Sequence, residues 1–387
     1  MASRRRPPWR HTNVIVFAAD LHLKPTTWAK FPDLRKDAFI SFGQVAAYCC
    51  AHKADALILG GDVFDSSTPH SNSVFVFKAG IALLENAGIP VYGIQGQHER
   101  SAPPWMSLTP HVKHLDGQPK EHRIWPIPCD DHVVAVRGID NTSATRLKEL
   151  LDADTADGEH YDILVLHQAL RDMVYETAWD LADEWLPPFV HVVLLGDLHI
   201  AASKGKCHYS GSMSLQSISE SPQKSFITVH CDSNGNLEVR RQPLKTRDMM
   251  KFAITDETSR DSAIDVLKSY KPSTDNPDLV RPLVVAHIST DVPSALAYIS
   301  AVCEEKQMFL DIRDLRSADS AEASSTPQTE VVSMSDLVGE CVEPMKFDRP
   351  EDKQELIDFA VRLLKSKDAS DELATIKKEM GVTTETG

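Results

Sequence analysis

The stretch VHVVLLGDLH, residues 190 to 199, decides how this chain folds. Its apolar run is typical of a buried β-strand, and the run stops at Gly196. The carboxylate of Asp197 and the imidazole of His199 follow at once. Burying a polar or charged group without a partner costs free energy. A buried strand that ends in these two groups therefore needs an explanation beyond packing.

Four other apolar runs also end in Asp, Gln or His. They are NVIVFAADLH (13–22), ending in Asp20 and His22; DALILGGDVFD (55–65), with Asp62; GIPVYGIQGQHE (88–99), with Gln97, His98 and Glu99; and YDILVLHQ (161–168), with His167. Each motif is weak when taken singly. Five strand ends that all deliver such groups are what a ligand cage on the edge of a sheet requires.

The bulk composition indicates a globular protein with more than one domain. The chain has 387 residues, of which 42% are hydrophobic and 25% charged. It contains no apolar run of the roughly eighteen residues that span a membrane. After the basic opening, residues 1–12, only the apolar run NVIVFAA precedes Asp20, which is too short and wrongly flanked for an export signal, so we expect a cytoplasmic protein with a basic arm. Seven cysteines without C-x-x-C spacing predict reduced thiols.

The formal net charge of −15 argues against a protein that coats DNA through its overall field. It does not exclude a nuclease, because metal ions, local basic patches or a basic partner can supply the positive surface.

Residues 13–249 are predicted to form a layered α/β domain. Helical spacing of apolar residues predicts helices over 39–54 and 73–88, the second of which ends at Gly88. Two strand-like runs, 224–232 and 237–244, flank the turn SNGN and predict a hairpin.

Three further segments follow this domain. Residues 250–315 show a β-α-β-α-β order and predict a smaller second unit. Residues 316–333 have the composition of a linker. Residues 334–387 predict short amphipathic helices, and their 8 basic and 13 acidic residues give a net charge of −5, which favours a protein partner over DNA. The alternative is that these helices fold back on the preceding domain.

The residue types at the strand ends favour paired cations. Mixed imidazole and carboxylate ligands suit manganese, iron or zinc, whereas calcium and magnesium prefer oxygen alone. A shared carboxylate can bridge two ions about 3.5 to 4 Å apart, and such a pair can activate water while it holds a phosphoryl group. Cations at this edge would compensate the burial of charge.

In this order, the five blocks resemble the calcineurin-like metallophosphoesterases, and more narrowly the SbcD branch of DNA-processing nucleases. Further similarities are GDVFD followed by SSTP (61–69), HYSGSMSLQSISE (208–220) and QPLKTRDM (242–249). The resemblance covers residues 13–250. It implies an α-β-β-α sandwich with a smaller α+β capping domain at 250–315 and a C-terminal helical segment.

The resemblance also implies roles for individual residues. The first of two divalent ions would be held by Asp20, His22, Asp62 and His199. Asp62 would bridge to a second ion, held also by Gln97, His167 and Asp197. His98 would contact the phosphate and protonate the departing sugar oxygen, and Glu99 would orient His98, with a solvent-facing Glu99 as the alternative.

Two positions depart from the family pattern. Gln97 stands where the family has Asn, and its amide oxygen lies one bond further from the backbone. Asp197 stands where the family has His, which exchanges an imidazole nitrogen for an anionic oxygen. This exchange favours manganese, with magnesium as the alternative, over zinc. Both changes fall on the second ion, so weak binding there is expected.

The leading functional hypothesis is a manganese-dependent DNA nuclease subunit for DNA end processing, repair or recombination. The resemblance implies that residues 334–387 bind an SbcC-type ABC ATPase, and that the chain forms a homodimer within a heterotetramer. A second hypothesis is a stand-alone phosphoesterase acting on nucleotides or phosphoproteins. A third is a scaffold that binds DNA ends and whose second metal site has decayed through Gln97 and Asp197.

Overall fold

The computed structural model describes residues 13–23, 28–117, 123–129, 132–174, 178–288 and 295–314. The predicted basic arm, the linker and the C-terminal helices lie outside these described residues. No described helix has the length and apolar content needed to cross a membrane.

The described residues form strands in this order: β1 (Val14–Ala18), β2 (Ala56–Leu59), β3 (Val91–Gly93), β4 (Val112–His114), β5 (Ile124–Cys129), β6 (His132–Gly138), β7 (Ile163–His167), β8 (Val192–Gly196), β9 (Ala202–Lys204), β10 (Cys207–Tyr209), β11 (Ser225–Cys231), β12 (Leu237–Pro243), β13 (Met249–Ile254), β14 (Leu283–Ile288) and β15 (Phe309–Asp314). The α-helices are α1 (Lys36–His52), α2 (Ser71–Asn86), α3 (Ala144–Ala156), α4 (Glu257–Ser269) and α5 (Ala295–Glu305). Short 3-10 helices lie at Pro32–Arg35, Trp105–Leu108 and Asp183–Trp185.

Two sheets of six described strands each build the core. The first has the order β12-β11-β1-β2-β3-β4, and β1 to β4 run parallel. The second has the order β5-β6-β7-β8-β10-β9, and β6, β7, β8 and β10 run parallel. Since parallel strands end at the same edge, β1, β2 and β3 deliver their carboxyl ends together, and so do β7 and β8.

Side-chain alternation along the strands separates the core into layers. On β1, Ile15 and Phe17 pack with Val165 and Leu194 of the second sheet. The alternate residues of β1 face outward and pack with α1 and α2, for example Val16 with Phe42 and Phe77. On the far side, Leu166 and Val193 pack with Leu147 and Leu151 of α3. The predicted α-β-β-α sandwich is confirmed.

The local predictions within this sandwich also hold. The helices expected over 39–54 and 73–88 are α1 and α2, displaced by two or three residues. Gly88 follows α2 with a φ of 73°, the left-handed conformation that its role as helix terminator requires. The expected hairpin is the antiparallel pair β11 and β12.

A third sheet follows residue 248 in the chain. Its order is β13-β14-β15, all parallel, and α4 and α5 pack against it through Ala263, Leu267, Ile299 and Val302. The predicted β-α-β-α-β order is therefore present.

The guanidinium of Arg247, just before β13, joins α1 to the third sheet. It donates from Nε and Nη2 to the carboxylate of Asp37 over 2.9 and 2.8 Å. It also donates to the carbonyl oxygens of Asp278 and Arg281 and lies over the ring of Phe309. Arg247 is only 2% exposed, and burial raises the pKa of Asp37 although Arg247 opposes this. The pair therefore stabilises the fold only while both partners are present.

Replacing Arg247 by alanine should lower the free energy of unfolding by about 3 to 5 kcal/mol, because it leaves the Asp37 carboxylate buried without its partner. Urea denaturation followed by circular dichroism measures this loss. The matched control is Arg240→Ala, which removes a two-pronged ion pair with Glu238 that lies in solvent and should change little. If both variants lost the same free energy of unfolding, burial would not be the reason that the Arg247 ion pair stabilises the fold.

Candidate metal centre

Most of the predicted ligands converge where the carboxyl ends of both sheets meet. Asp20 and His22 follow β1, Asp62 follows β2, His167 ends β7, and His199 follows β8. Their ligand atoms fall into two sets, each within 4.8 Å. One consists of Asp20, His22 and His199, and the other of Asp20, Asp62 and His167.

The first set pairs two imidazoles with a buried carboxylate. Nε2 of His22 lies 3.1 Å from Nε2 of His199, and Nε2 of His199 lies 4.0 Å from Oδ1 of Asp20. The facing nitrogens cannot both carry a proton and donate to one another. A cation beside two nitrogen lone pairs and a carboxylate oxygen satisfies all three groups.

The second set is completely buried. Nε2 of His167 lies 3.3 Å from Oδ2 of Asp62 and 3.9 Å from Oδ1 of Asp20. The opposite nitrogen, Nδ1, donates to the carbonyl oxygen of Gly60 over 2.8 Å. In the neutral ring, Nε2 therefore carries the lone pair, and it is buried without a well-directed hydrogen bond among the described residues. A buried nitrogen that points toward two carboxylates in this way fits a metal ligand.

Asp20 is common to both sets, whereas Asp62 was the expected shared residue. Oδ2 of Asp62 nevertheless also lies 3.7 Å from Nε2 of His22, a member of the first set. Each carboxylate thus lies within 4.0 Å of His167 and of one imidazole of the first set.

Burial controls the electrostatics of the centre. Asp20 is 0% and Asp62 1% exposed. Burial raises the pKa of Asp20, and the imidazoles of His167, His199 and His22 oppose the increase. Burial also acts to raise the pKa of Asp62, but His167 and His22 overcome it and lower that pKa to about 2. For His167, burial opposes protonation, whereas Asp62 and Asp20 raise the pKa to about 10. The carboxylates therefore require positive charge, and this donor set fits divalent cations.

His98 lies at the open side of the centre. Its side chain is 48% exposed, and Nε2 lies 3.8 Å from Oδ2 of Asp62. Its backbone N–H donates to Oδ1 of Asp62 over 3.0 Å. The backbone of His98 is therefore anchored to the Asp62 carboxylate, while about half of its side chain is exposed to solvent.

Glu99 makes other contacts than expected. Its two carboxylate oxygens accept hydrogen bonds from the backbone N–H groups of Phe64 over 2.8 Å and of Gly96 over 3.2 Å, rather than from the ring of His98. It is also 1% exposed, so it does not face solvent. Burial and the nearby charge of Asp62 raise its pKa to about 8. Through its hydrogen bond to Phe64, Glu99 thus links the loop after β3 to the loop after β2.

The two residues that depart from the family pattern, Gln97 and Asp197, differ in their surroundings. Gln97 is exposed on the loop after β3. The half-buried Asp197 is fixed through its backbone N–H, which donates to both carboxylate oxygens of Asp20 over 3.1 and 3.2 Å. Its side chain belongs to neither set of ligand atoms among the described residues.

The backbone of the centre adopts strained conformations. The φ angles of Asp20, His22, Asp62 and Asp197 are 52°, 43°, 48° and 90°. Residues other than glycine rarely adopt such positive values. Gly196 permits the close approach of the sheets, because a Cβ there would lie 2.5 Å from the carbonyl oxygen of Gly60 and equally close to Nδ1 of His167. Steric crowding thus explains why a glycine precedes Asp197.

Sequence reasoning missed the residues behind His199. Nδ1 of His199 lies 2.9 Å from Oε1 of Glu220, whose other oxygen contacts the ammonium of Lys224. Glu220 ends the segment 208–220 that carried part of the resemblance. That resemblance was the only available signal, because a glutamate in a polar loop has no distinguishing pattern.

Comparison with known proteins agrees with this geometry. The sequence profile of the calcineurin-like phosphoesterase family matches residues 14–201. The DNA double-strand break repair protein Mre11 of Methanosarcina mazei is 29% identical over 229 residues, which cover 56% of this chain and 36% of that relative. Mre11 of Haloferax volcanii is 26% identical over 323 residues, covering 79% and 68%. The SbcD subunit of the SbcCD nuclease of Bacillus subtilis is 26% identical over 220 residues, covering 45% and 55%.

These relatives differ from this chain in extent. The chain spans little more than a third of the length of the Methanosarcina relative, and about half of the Bacillus one. The profile match covers β1 to β8 and ends two residues after His199, so it includes every predicted ligand. Residues 14–201 therefore form a calcineurin-like metallophosphoesterase domain, in a chain similar to Mre11 and SbcD proteins.

Proposed function

We propose that this chain is a DNA nuclease subunit that hydrolyses phosphodiester bonds with two divalent ions in DNA end processing. The observation that carries the proposal is the convergence of buried Asp20 and Asp62 with His22, His167 and His199, beside a solvent-facing His98. The names of the similar proteins, the break repair protein Mre11 and the SbcD subunit of the SbcCD nuclease, support DNA as the substrate.

The two sets of ligand atoms would each hold one ion. Asp20, His22 and His199 would hold the first, and Asp62 and His167 the second, with both carboxylates within reach of both ions. We propose manganese, because the set mixes imidazole with carboxylate and Asp197 replaces an imidazole by an oxygen donor. When bound, the ions would supply Lewis acidity toward the phosphate and lower the pKa of water.

His98 would act at the leaving group. Its Nε2 lies 3.8 Å from the Asp62 carboxylate and its side chain is 48% exposed, so a protonated ring could contact a phosphate there. The anchored backbone fixes the position of the ring, so that Nε2–H can donate its proton to the departing sugar oxygen. Glu99 would contribute by holding the loop that carries His98 and not by contacting the ring.

We further propose two partners. DNA would bind across the open side of the centre, with residues 250–315 acting as a capping domain. Residues 334–387 would bind an SbcC-type ABC ATPase, and two copies of the chain would form a homodimer within a heterotetramer. The net charge of −15 is consistent with a nuclease whose positive surface comes from ions and from its partner.

Replacing His98 by alanine should lower the rate of DNA cleavage by about 10² or more, because the sugar oxygen loses its proton donor. Cleavage of bis(p-nitrophenyl) phosphate should fall much less, since nitrophenolate leaves without a proton. Manganese binding should persist, because alanine retains the backbone N–H that contacts Asp62. Gel assays on end-labelled duplex and single-stranded DNA, run beside a nitrophenolate absorbance assay, measure both rates.

The matched control for His98→Ala is His191→Ala, which removes an exposed imidazole at the start of β8, away from the centre. It should leave both rates unchanged. An equal fall on both substrates in His98→Ala would contradict the proton-donor role, and undiminished DNA cleavage would exclude His98 from the reaction.

Manganese titration should show two ions per chain, and the variants should separate them. His199→Ala should weaken one ion and His167→Ala the other, whereas Asp20→Asn should weaken both because its carboxylate belongs to both sets. Isothermal titration calorimetry measures the number and affinity of the ions. One ion per wild-type chain with no cleavage would favour the scaffold hypothesis instead.

A further inference from the structure

A buried carboxylate lies behind His199, on the side of the ring that faces away from the predicted ions. Oε1 of Glu220 lies 2.9 Å from Nδ1 of His199, and the glutamate side chain is 8% exposed. The opposite nitrogen, Nε2, faces Nε2 of His22 and Oδ1 of Asp20. An ionised carboxylate can only accept, so in the neutral ring Nδ1 carries the proton and Nε2 presents its lone pair.

The other oxygen of Glu220 is surrounded by donors. Oε2 accepts from the ammonium of Lys224, from the hydroxyl of Ser212 over 3.1 Å, and from the backbone N–H of Gln216 over 3.2 Å. Lys224 is itself buried, at 3% exposure, and also donates to Ser212 Oγ over 2.8 Å. These contacts keep the carboxylate ionised and hold it in one orientation.

We propose that Glu220 is a positioning residue of the metal centre, and that it fixes the tautomer in which His199 offers Nε2 to a divalent ion. The proposal rests on the proposed two-ion site and adds a residue to which the resemblance assigned no role. Carboxylates that accept from the remote nitrogen of a ligating histidine orient the ring and increase its basicity. Ser212 and the backbone N–H of Gln216 would in turn orient the carboxylate.

The surroundings of Glu220 make the isosteric variant Glu220→Gln informative. Lys224 and the Gln216 N–H can only donate, so the amide of glutamine must turn its oxygen toward them. Its NH₂ group then faces Nδ1 of His199 and forces that nitrogen to accept. The proton must move to Nε2, which removes the lone pair from the first set. A purely structural ion pair between Glu220 and Lys224 would not depend on which nitrogen of His199 carries the proton.

The test compares metal-free wild type with Glu220→Gln by ¹⁵N NMR of labelled histidines, at a pH where the rings are neutral. His199→Ala identifies the His199 signals. We expect the Nδ1–H tautomer in wild type and the Nε2–H tautomer in the variant. In calorimetry, one manganese ion should bind about 10- to 100-fold more weakly and the other unchanged. Glu238→Gln, which neutralises an exposed glutamate paired with Arg240, is the control and should change neither result.

An unchanged tautomer together with unchanged manganese affinity in Glu220→Gln would overturn the proposal. Circular dichroism checks folding, and if Glu220→Gln does not fold, Lys224→Met provides the second test. That variant keeps the contact between Glu220 and His199, so it should retain the Nδ1–H tautomer and both ions; weakened binding with the tautomer retained would overturn the proposal. A wild-type chain that binds no manganese would contradict the proposed function, while the tautomer comparison would still test Glu220 by itself.

Discussion

The burial of two carboxylates between two sheets is the constraint on which the rest of this structure depends. Asp20 and Asp62 are almost inaccessible to water, and their nearest charged neighbours are imidazoles. Such carboxylates destabilise a fold unless positive charge compensates them. The left-handed backbone at Asp20, His22 and Asp62, and the glycine that lets β8 approach β2, are further costs at the same place. Strain concentrated in this way is typical of a site selected for chemistry rather than for stability.

Much of the fold followed from the sequence because its signals are local. Apolar runs, their polar ends and the turn at SNGN each lie within about ten residues, and they predicted the layered sandwich and the β11–β12 hairpin. The convergence of Asp20, His22 and Asp62 could also be expected, because parallel strands end at one edge. Asp37 and Arg247 could not be paired, since 210 positions separate them and nothing in the QPLKTRDM stretch that contains Arg247 points to Asp37.

The finer details of the centre depend on loop geometry that spacing does not encode. Glu99 was expected beside His98, yet its carboxylate accepts from the backbone N–H of Phe64, two residues after the left-handed Asp62, and from that of Gly96 in its own loop. Asp197 also contacts Asp20 through its backbone N–H, a contact that residue spacing does not reveal. Glu220 contacts His199 only because the segment after β10 returns to the centre. In each case the deciding partner is a backbone group or a distant loop.

The central claim is that two divalent ions lie between the sheets, in contact with the carboxylates of Asp20 and Asp62. Anomalous X-ray scattering at the manganese edge, from crystals grown with manganese, measures this most directly. We predict two peaks about 3.5 to 4 Å apart, one beside Nε2 of His22 and His199 and the other beside Nε2 of His167. A single peak, or peaks remote from these nitrogens, would contradict the claim.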